Sequence, residues 1–179
     1  VMVTLGTGVG GGVIVGGRPL VGTNGAGGEI GHILANRQET DKCGCGKKGC
    51  LEQYASATGI ARLARIRLAK NNDMTLLRGQ EITAKAVFDA LKEGDKVAEE
   101  IVEEFGAYLG YALADVAAVI DPSMFIIGGG VSKAGPIIIQ YVKKYFLEKA
   151  FFANEGTEFI IAVLGNDAGI CGAAKLILG

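Results

Sequence analysis

Glycine is the residue that most constrains the fold of this chain, by its number and by its position. The sequence has 29 glycines among 179 residues, whereas average usage is about 7%. They are concentrated at positions 6 to 31 and 128 to 130. Short apolar runs at 1 to 5 and 123 to 127 lead into the two clusters. Each run therefore predicts a buried strand that ends where the backbone turns tightly or closely approaches another group.

The order of the remaining segments predicts an α/β fold. Residues 13 to 15 and 20 to 21 flank Gly16-Gly17-Arg18-Pro19, which is typical of a β-hairpin. Residues 22 to 50 predict a glycine-rich loop. Helices are predicted near 51 and over 59–70, 83–91, 95–120, 136–150 and 169–178, with a further strand over 158–163. Two strands that are each followed by a helix indicate an α/β sheet, with the opening strand and hairpin as an antiparallel wing.

The segment 95 to 120 carries the most regular helical pattern. Its apolar residues recur at spacings of three and four, Asp95 can cap the start, and Asp121-Pro122 closes the end. Within it, Gly106, Gly110 and Ala114 form a stripe of small residues. Such a stripe allows another element to pack closely against the helix.

Composition and charge exclude several classes of protein. A net charge of −1 gives no indication of a nucleic-acid-binding surface. No segment resembles a signal peptide or a membrane span, because Asp115 interrupts the most apolar long segment. Four unevenly placed cysteines do not resemble a secreted disulfide scaffold. We therefore expect a soluble cytoplasmic protein of one domain, without nucleic-acid or membrane partners.

The stretch GTGVGGG at 6 to 12 allows three interpretations. Gly6, Gly8 and Gly11 satisfy the dinucleotide-binding pattern G-x-G-x-x-G, but that site requires a helix to begin there, and the β-prone Val13-Ile14-Val15 follows instead. A glycine hairpin whose N–H groups and Thr7 hydroxyl bind phosphate is the favoured interpretation. A turn without a ligand is the third. The second glycine turn, Gly128-Gly129-Gly130, also follows a strand and argues against the third.

Three cysteines and the single histidine of the chain predict a zinc site. Cys43, Cys45 and Cys50 follow His32, and together they supply four nitrogen and sulfur ligands, a set typical of closed tetrahedral zinc. A closed site leaves no position for water, so we expect a structural metal. A disulfide is disfavoured because C-x-C closes one poorly, and a redox pair would need C-x-x-C. The fourth cysteine, Cys171, is expected to be a small core residue.

The motifs TLGTGVGGG, GAGGEIGH, CGCGKKGCLEQYASATG, DPSMFIIGGG and LGNDAGICGAA occur in this order. From near residue 3 to the end, the chain resembles the C-terminal half of bacterial glucokinases of the ROK family (repressors, open reading frames and kinases). The resemblance implies an α/β, actin-like, ribonuclease-H-like sugar kinase fold, in which ATP with Mg²⁺ and a hexose meet between two lobes. It also implies two groups of nucleotide-binding residues. These are Gly6, Thr7, Gly8, Gly10 and Gly11 in a phosphate loop, and Gly128, Gly129 and Gly130 near the adenosine.

For the sugar, the resemblance implies contacts from Glu29, His32 and Glu52. Carboxylates accept hydrogen bonds from vicinal hydroxyls, and a histidine with one nitrogen on zinc can offer the other to a hydroxyl. The alternative is that Glu29 and Glu52 are solvated surface carboxylates with no role in binding. Their position beside the zinc ligands argues against that alternative.

The resemblance covers only part of a ROK kinase. Such a kinase also has a D-x-G-G-T phosphate loop and a D-N-D-A-N-like segment with the general base, and neither motif occurs in these 179 residues. Asp167 is better interpreted as a helix cap. We therefore expect residues 1–179 to be a C-terminal lobe, with a zinc-binding loop at about 29–52, that is inactive or nearly so alone.

Several alternatives stay open within the resemblance. ROK transcriptional repressors share this lobe and would use it to sense a sugar. Among kinases, glucose is the expected hexose, with N-acetylmannosamine and fructose behind it. Homodimers are common in the family, and the small-residue stripe agrees with one.

Overall fold

A four-stranded sheet forms the centre of the fold in the computed structural model, which describes residues 1–165, 168, 171, 172 and 174. The strands are β1 (Met2–Leu5), β2 (Val9–Gly12), β3 (Ile14–Val15), β4 (Arg18–Pro19), β5 (Met124–Gly128) and β6 (Glu158–Ile161). The helices are α1 (Glu52–Ala55), α2 (Ala57–Lys70), α3 (Ala84–Lys92), α4 (Lys96–Ile120) and α5 (Ile137–Lys149). The central sheet has the order β2-β1-β5-β6, and β3 and β4 form a separate hairpin.

The sheet brings the two glycine clusters to one edge. Strand β1 pairs antiparallel with β2 and parallel with β5, which in turn pairs parallel with β6. Because parallel strands end at the same edge, the turn after Leu5 lies beside the turn after Gly128. A Cβ at Gly129 would lie 2.5 Å from the Leu5 carbonyl oxygen, and Gly129 has a φ of 84°. Only glycine fits there without strain.

Helix α4 is the main helix of the core, and its ends follow the predicted capping. The Asp95 carboxylate accepts a hydrogen bond from Ala98 N at 2.9 Å, and Asp121 adopts a left-handed φ of 49° at the C-terminal end. The predicted close packing is provided by α5. A Cβ at Gly110 would lie 2.5 Å from the Val142 carbonyl oxygen and 2.8 Å from Phe146 N. The small-residue stripe is thus used within the chain and gives no support to a homodimer, which stays a prediction.

Three sequence predictions are corrected by the structure. The opening strand and the hairpin do not form one antiparallel wing, because β1 lies inside the central sheet, parallel to β5, and the hairpin β3–β4 is separate. The returning hairpin strand is Arg18–Pro19, not 20–21, because Gly16 and Gly17 alone make the turn, with φ of 56° and 78°. Cys171 is exposed, not buried; a small residue in an apolar run can face either way, and the run does not reveal which face is covered. The proposed cap Asp167 and most of the predicted helix 169–178 lie outside the described residues. Among the described residues, no helix is both long and apolar enough to cross a bilayer.

Candidate metal centre and adjoining glycine turn

The four predicted metal ligands converge in the structure. One possible ligand atom from each of His32, Cys43, Cys45 and Cys50 lies within 4.8 Å of all the others. The Cys45 and Cys50 sulfurs are 3.6 Å apart, and the Cys43 sulfur is 3.9 Å from His32 Nδ1. Tetrahedral zinc with Zn–S bonds of about 2.3 Å requires sulfurs about 3.8 Å apart. The donor set and its spacing therefore fit a zinc ion.

The loop reaches this geometry through a small number of backbone contacts. His32 ends a 3₁₀ helix at Ile30–His32, and antiparallel bridges join Leu34 to Cys50 and Lys42 to Lys48. Gly46 and Gly49 take positive φ values of 85° and 75°. A Cβ at Gly49 would lie 1.9 Å from the Asn36 carbonyl oxygen. These two glycines let the loop close around the ligand group.

In the absence of a metal ion, the surroundings of Cys43 and Cys50 favour their neutral thiol forms. Burial, followed by the hydrogen bonds that its thiol donates to Cys45 and Cys43, raises the pKa of Cys50 to about 12. Burial likewise raises the pKa of Cys43. The Lys47 backbone N–H lowers the pKa of Cys45. Two of the three thiols are thus neutral when no cation is near, and a divalent ion would supply the charge that holds them as thiolates.

The three predicted sugar-binding side chains lie next to this centre. His32 Nδ1 faces Cys43, while His32 Nε2 lies 4.0 Å from Glu29 Oε2. The two ring nitrogens therefore face different partners, as expected for an imidazole that holds a metal on one side and a ligand on the other. Glu29 and His32 are exposed. A bound molecule can reach both.

Glu52 has a second partner that the sequence did not predict. Its Oε1 lies 3.6 Å from the Cys43 sulfur, and its Oε2 accepts a hydrogen bond from Val9 N at 3.0 Å. A Cβ at Gly8 would lie 2.0 Å from the same Oε2. The carboxylate thus joins the candidate metal centre to the glycine turn.

The predicted phosphate-loop residues divide into two groups in the structure. Gly6, Thr7 and Gly8 form the turn, in which Gly6 N donates to the Gly8 carbonyl oxygen at 3.0 Å. Gly10 and Gly11 lie in β2 instead. A Cβ at Gly11 would lie 2.3 Å from the Gly28 carbonyl oxygen, so close backbone packing already explains the glycine there.

A sequence-model match to the ROK family covers residues 1–179. The chain belongs to the ROK family. It is 44% identical over 181 residues to a glucokinase of Halalkalibacterium halodurans, covering 98% of this chain and 55% of the relative. It is 36% identical to an N-acetylmannosamine kinase of Escherichia coli, covering 100% of this chain and 56% of the relative. The chain thus spans about half the length of the curated relatives it matches.

The ROK fold expected from the sequence is confirmed by a solved structure. A ROK glucokinase from Streptomyces griseus, in complex with glucose and AMPPNP, superimposes with a TM-score of 0.87 at 38% identity. The superposition covers 98% of this chain and 59% of that one. The α/β architecture is accordingly that of the actin-like ATPases.

A cavity beside the second glycine turn, Gly128-Gly129-Gly130, was not predicted from the sequence. It has a volume of about 310 Å³ and is lined by Thr83 and Phe88 of the α3 region and by Gly130 and Lys133. The two sides are far apart in the sequence, on the α3 region and after β5. No local sequence pattern identifies Thr83 or Phe88 as a residue that lines a cavity. Thr83 is equally expected as the cap of a helix, and Phe88 as an ordinary core residue of that helix.

Proposed function

We propose that this chain forms the hexose-binding and phosphate-binding part of an ATP-dependent sugar kinase, with glucose as the preferred hexose. The observation that carries the proposal is the position of Glu52, which contacts both Cys43 of the candidate metal centre and Val9, the first residue after the glycine turn. A hexose beside Glu52 would lie next to a turn suited to phosphate. That proximity is what phosphoryl transfer from ATP to a sugar hydroxyl requires.

The residues around the sugar have distinct proposed roles. Glu29 and Glu52 accept hydrogen bonds from vicinal hydroxyls, and two such acceptors fix the orientation of the ring. His32 contributes through Nε2, the nitrogen that faces Glu29. A zinc ion would be held by four ligands, His32, Cys43, Cys45 and Cys50, and would fix the conformation of the loop. These four protein ligands would leave no coordination site for water.

The nucleotide is proposed to lie along the edge of the sheet where the two glycine turns meet. The turn Gly6-Thr7-Gly8 offers backbone N–H groups and a hydroxyl to the phosphates of ATP with its Mg²⁺. Gly128, Gly129 and Gly130 lie near the adenosine, and the cavity beside Gly130 provides the space for it. Gly10 and Gly11 support the turn from β2.

The general base is proposed to lie in sequence beyond these 179 residues. Phosphoryl transfer needs a carboxylate near the attacking hydroxyl, and the D-N-D-A-N-like segment that carries it in ROK kinases does not occur in this chain. We propose that residues 1–179 form the C-terminal lobe of a cytoplasmic kinase. Alone, this lobe would be inactive or nearly so.

A kinase assay of the complete protein that carries this sequence tests the proposal. ATP-dependent phosphorylation of glucose, N-acetylmannosamine and fructose would be compared, and the highest kcat/KM is expected for glucose. N-acetylmannosamine is the second candidate because of the 36% identical kinase of that name. Glu29→Gln and Glu52→Gln should each raise the KM for glucose about tenfold or more, as expected for the loss of a charged hydrogen bond.

The exposed Glu155 provides a matched control, since Glu155→Gln should leave the KM for glucose unchanged. Glucose binding without any phosphoryl transfer by the complete protein would contradict the kinase proposal and favour the repressor alternative.

A further inference from the structure

The turn that we propose to bind phosphate is held by the segment that runs from α1 into α2. This segment begins directly after Cys50 and Leu51, and its residues 52 to 58 lie against residues 6 to 9. Three hydrogen bonds join them: Val9 N to Glu52 Oε2 (3.0 Å), Ala57 N to the Gly6 carbonyl oxygen (2.8 Å), and Thr58 Oγ1 to the Thr7 carbonyl oxygen (2.8 Å).

The bond from Thr58 decides how the middle of the turn is oriented. The Thr7 carbonyl and the Gly8 N–H belong to one planar trans peptide unit, so they point in opposite directions. When Thr58 holds the carbonyl toward α2, the Gly8 N–H is directed away from α2. Within the described part of the chain, the Gly8 N–H donates to no protein group. It is therefore available to an anion on the open side of the turn.

The elbow between α1 and α2 gives Thr58 a fixed position. Ser56 is fully buried; its hydroxyl donates to the Glu52 carbonyl oxygen at 2.7 Å and accepts from Gly59 N at 2.9 Å. A Cβ at Gly59 would lie 2.8 Å from backbone atoms of Gln53 and Tyr54. Such close packing leaves the first turn of α2 little freedom to move.

We propose that Thr58 is a positioning residue for the phosphate turn: its hydroxyl fixes the Thr7–Gly8 peptide so that the Gly8 N–H meets a phosphate oxygen of the nucleotide. This inference rests on the proposed role of the turn in binding ATP. It adds a residue that touches neither hexose nor nucleotide. Its effect falls on nucleotide affinity, because the contacts proposed for the hexose come from other side chains.

The test uses the complete protein with three variants. Thr58→Val removes the hydroxyl while keeping the shape, and Thr58→Ser restores it. Thr75→Val is the matched control, since the Thr75 hydroxyl makes a bond of the same length, 2.8 Å, to Asp95 at the start of α4. Steady-state KM values for ATP and glucose are measured, together with the Kd for ATP without hexose by calorimetry and the melting temperature.

We expect Thr58→Val to raise both the KM and the Kd for ATP about threefold to tenfold, the effect of losing one hydrogen bond. The KM for glucose should stay within about twofold, and Thr58→Ser should recover most of the ATP affinity. Thr75→Val should lower the melting temperature without changing the ATP values.

An unchanged Kd for ATP in Thr58→Val would overturn the inference. An equal rise in the KM values for ATP and glucose would also overturn it, because it would indicate a general loosening of the structure around both sites. A wild-type protein that binds ATP but phosphorylates no hexose would contradict the proposed function alone. In that case the Kd comparison still decides the role of Thr58.

Discussion

Glu52 Oε2 accepts a hydrogen bond from the backbone N–H of Val9 at 3.0 Å, across 43 residues of sequence. The same carboxylate lies 3.6 Å from the Cys43 sulfur through Oε1. A single side chain therefore connects the loop of candidate metal ligands to the glycine turn. Any change that displaces the Glu52 carboxylate should be detected at both sites.

Gly8→Ala tests this connection from the side of the turn. The added methyl would lie 2.0 Å from Glu52 Oε2, so the carboxylate must swing away and lose its bond to Val9. Because the displaced atom is at the end of a flexible side chain, we expect a modest loss of stability, about 1 kcal/mol. The KM values for both glucose and ATP should rise in steady-state assays of the complete protein.

Gly10→Ala is the control for that variant. Its Cβ would meet nothing closer than Thr4 Cβ at 3.9 Å, so the methyl fits without displacing a neighbour. Equal thermal shifts in the two variants would contradict a specific role of the Glu52 contact.

The candidate metal centre predicts a defined zinc content. Elemental analysis of the purified complete protein should find about one zinc per chain in the four-ligand site. Cys45→Ala should lose most of it, and the free energy of unfolding should fall by on the order of 4 kcal/mol, because metal binding contributes to folding. Cys171 lies outside the cluster, so Cys171→Ala should retain the zinc. Equal zinc in the two variants would exclude the proposed ligand set.

The cysteine cluster could be predicted because the chain offers few alternatives. It has one histidine and four cysteines, three of them within eight positions, so a four-ligand set has essentially one composition. Strands β1 and β5 were also predictable, since each apolar run leads into a glycine cluster, and the turn after β5 requires glycine at Gly129. Helix α4 carries its capping signals, Asp95 and Asp121-Pro122, in the sequence itself.

The contacts between distant segments could not be predicted from local pattern. The bond between Glu52 and Val9 depends on how the loop folds back onto β1 and β2, and neither residue type requires the other. The same holds for the cavity between Phe88 and Gly130. The small-residue stripe of α4 is visible in the sequence, but nothing in the sequence identifies α5 as the helix that packs against it.

Glu39 predicts a specific dependence of stability on pH. Its side chain is 7% exposed and accepts hydrogen bonds from Tyr54 and Arg62. Burial favours the neutral form, but the bonds from Tyr54, the Asp41 backbone N–H and Arg62 outweigh it and lower the pKa from 4.5 to about 2. A carboxylate with a lowered pKa stabilises the fold fully above its unfolded-state pKa, and this contribution is lost as the pH falls toward the folded-state value.

Glu39→Gln should therefore reduce the free energy of unfolding by about 1–3 kcal/mol near neutral pH. The difference from wild type should be constant between pH 8 and pH 6 and should shrink below about pH 4.5. Urea unfolding at each pH provides the measurement. Glu99→Gln, which breaks an exposed pair with Lys96, should change the free energy of unfolding far less, because solvent screens that pair. A difference that grows on acidification would contradict the lowered pKa.

Gly110→Ala in α4 should destabilise the protein, although the same change in an open helix is stabilising by about 1 kcal/mol. The new methyl would lie 2.5 Å from the Val142 carbonyl oxygen and 2.8 Å from Phe146 N. These are backbone atoms of α5, so the whole helix must move outward, at a cost of about 1–3 kcal/mol beyond the gain in propensity. Gly156→Ala is the control, because its Cβ would meet nothing within 4 Å and its φ is not left-handed. Thermal unfolding should show a lower melting temperature for Gly110→Ala only. A higher melting temperature for Gly110→Ala would contradict the prediction, because it would mean that α5 can move away from α4 at little cost in free energy.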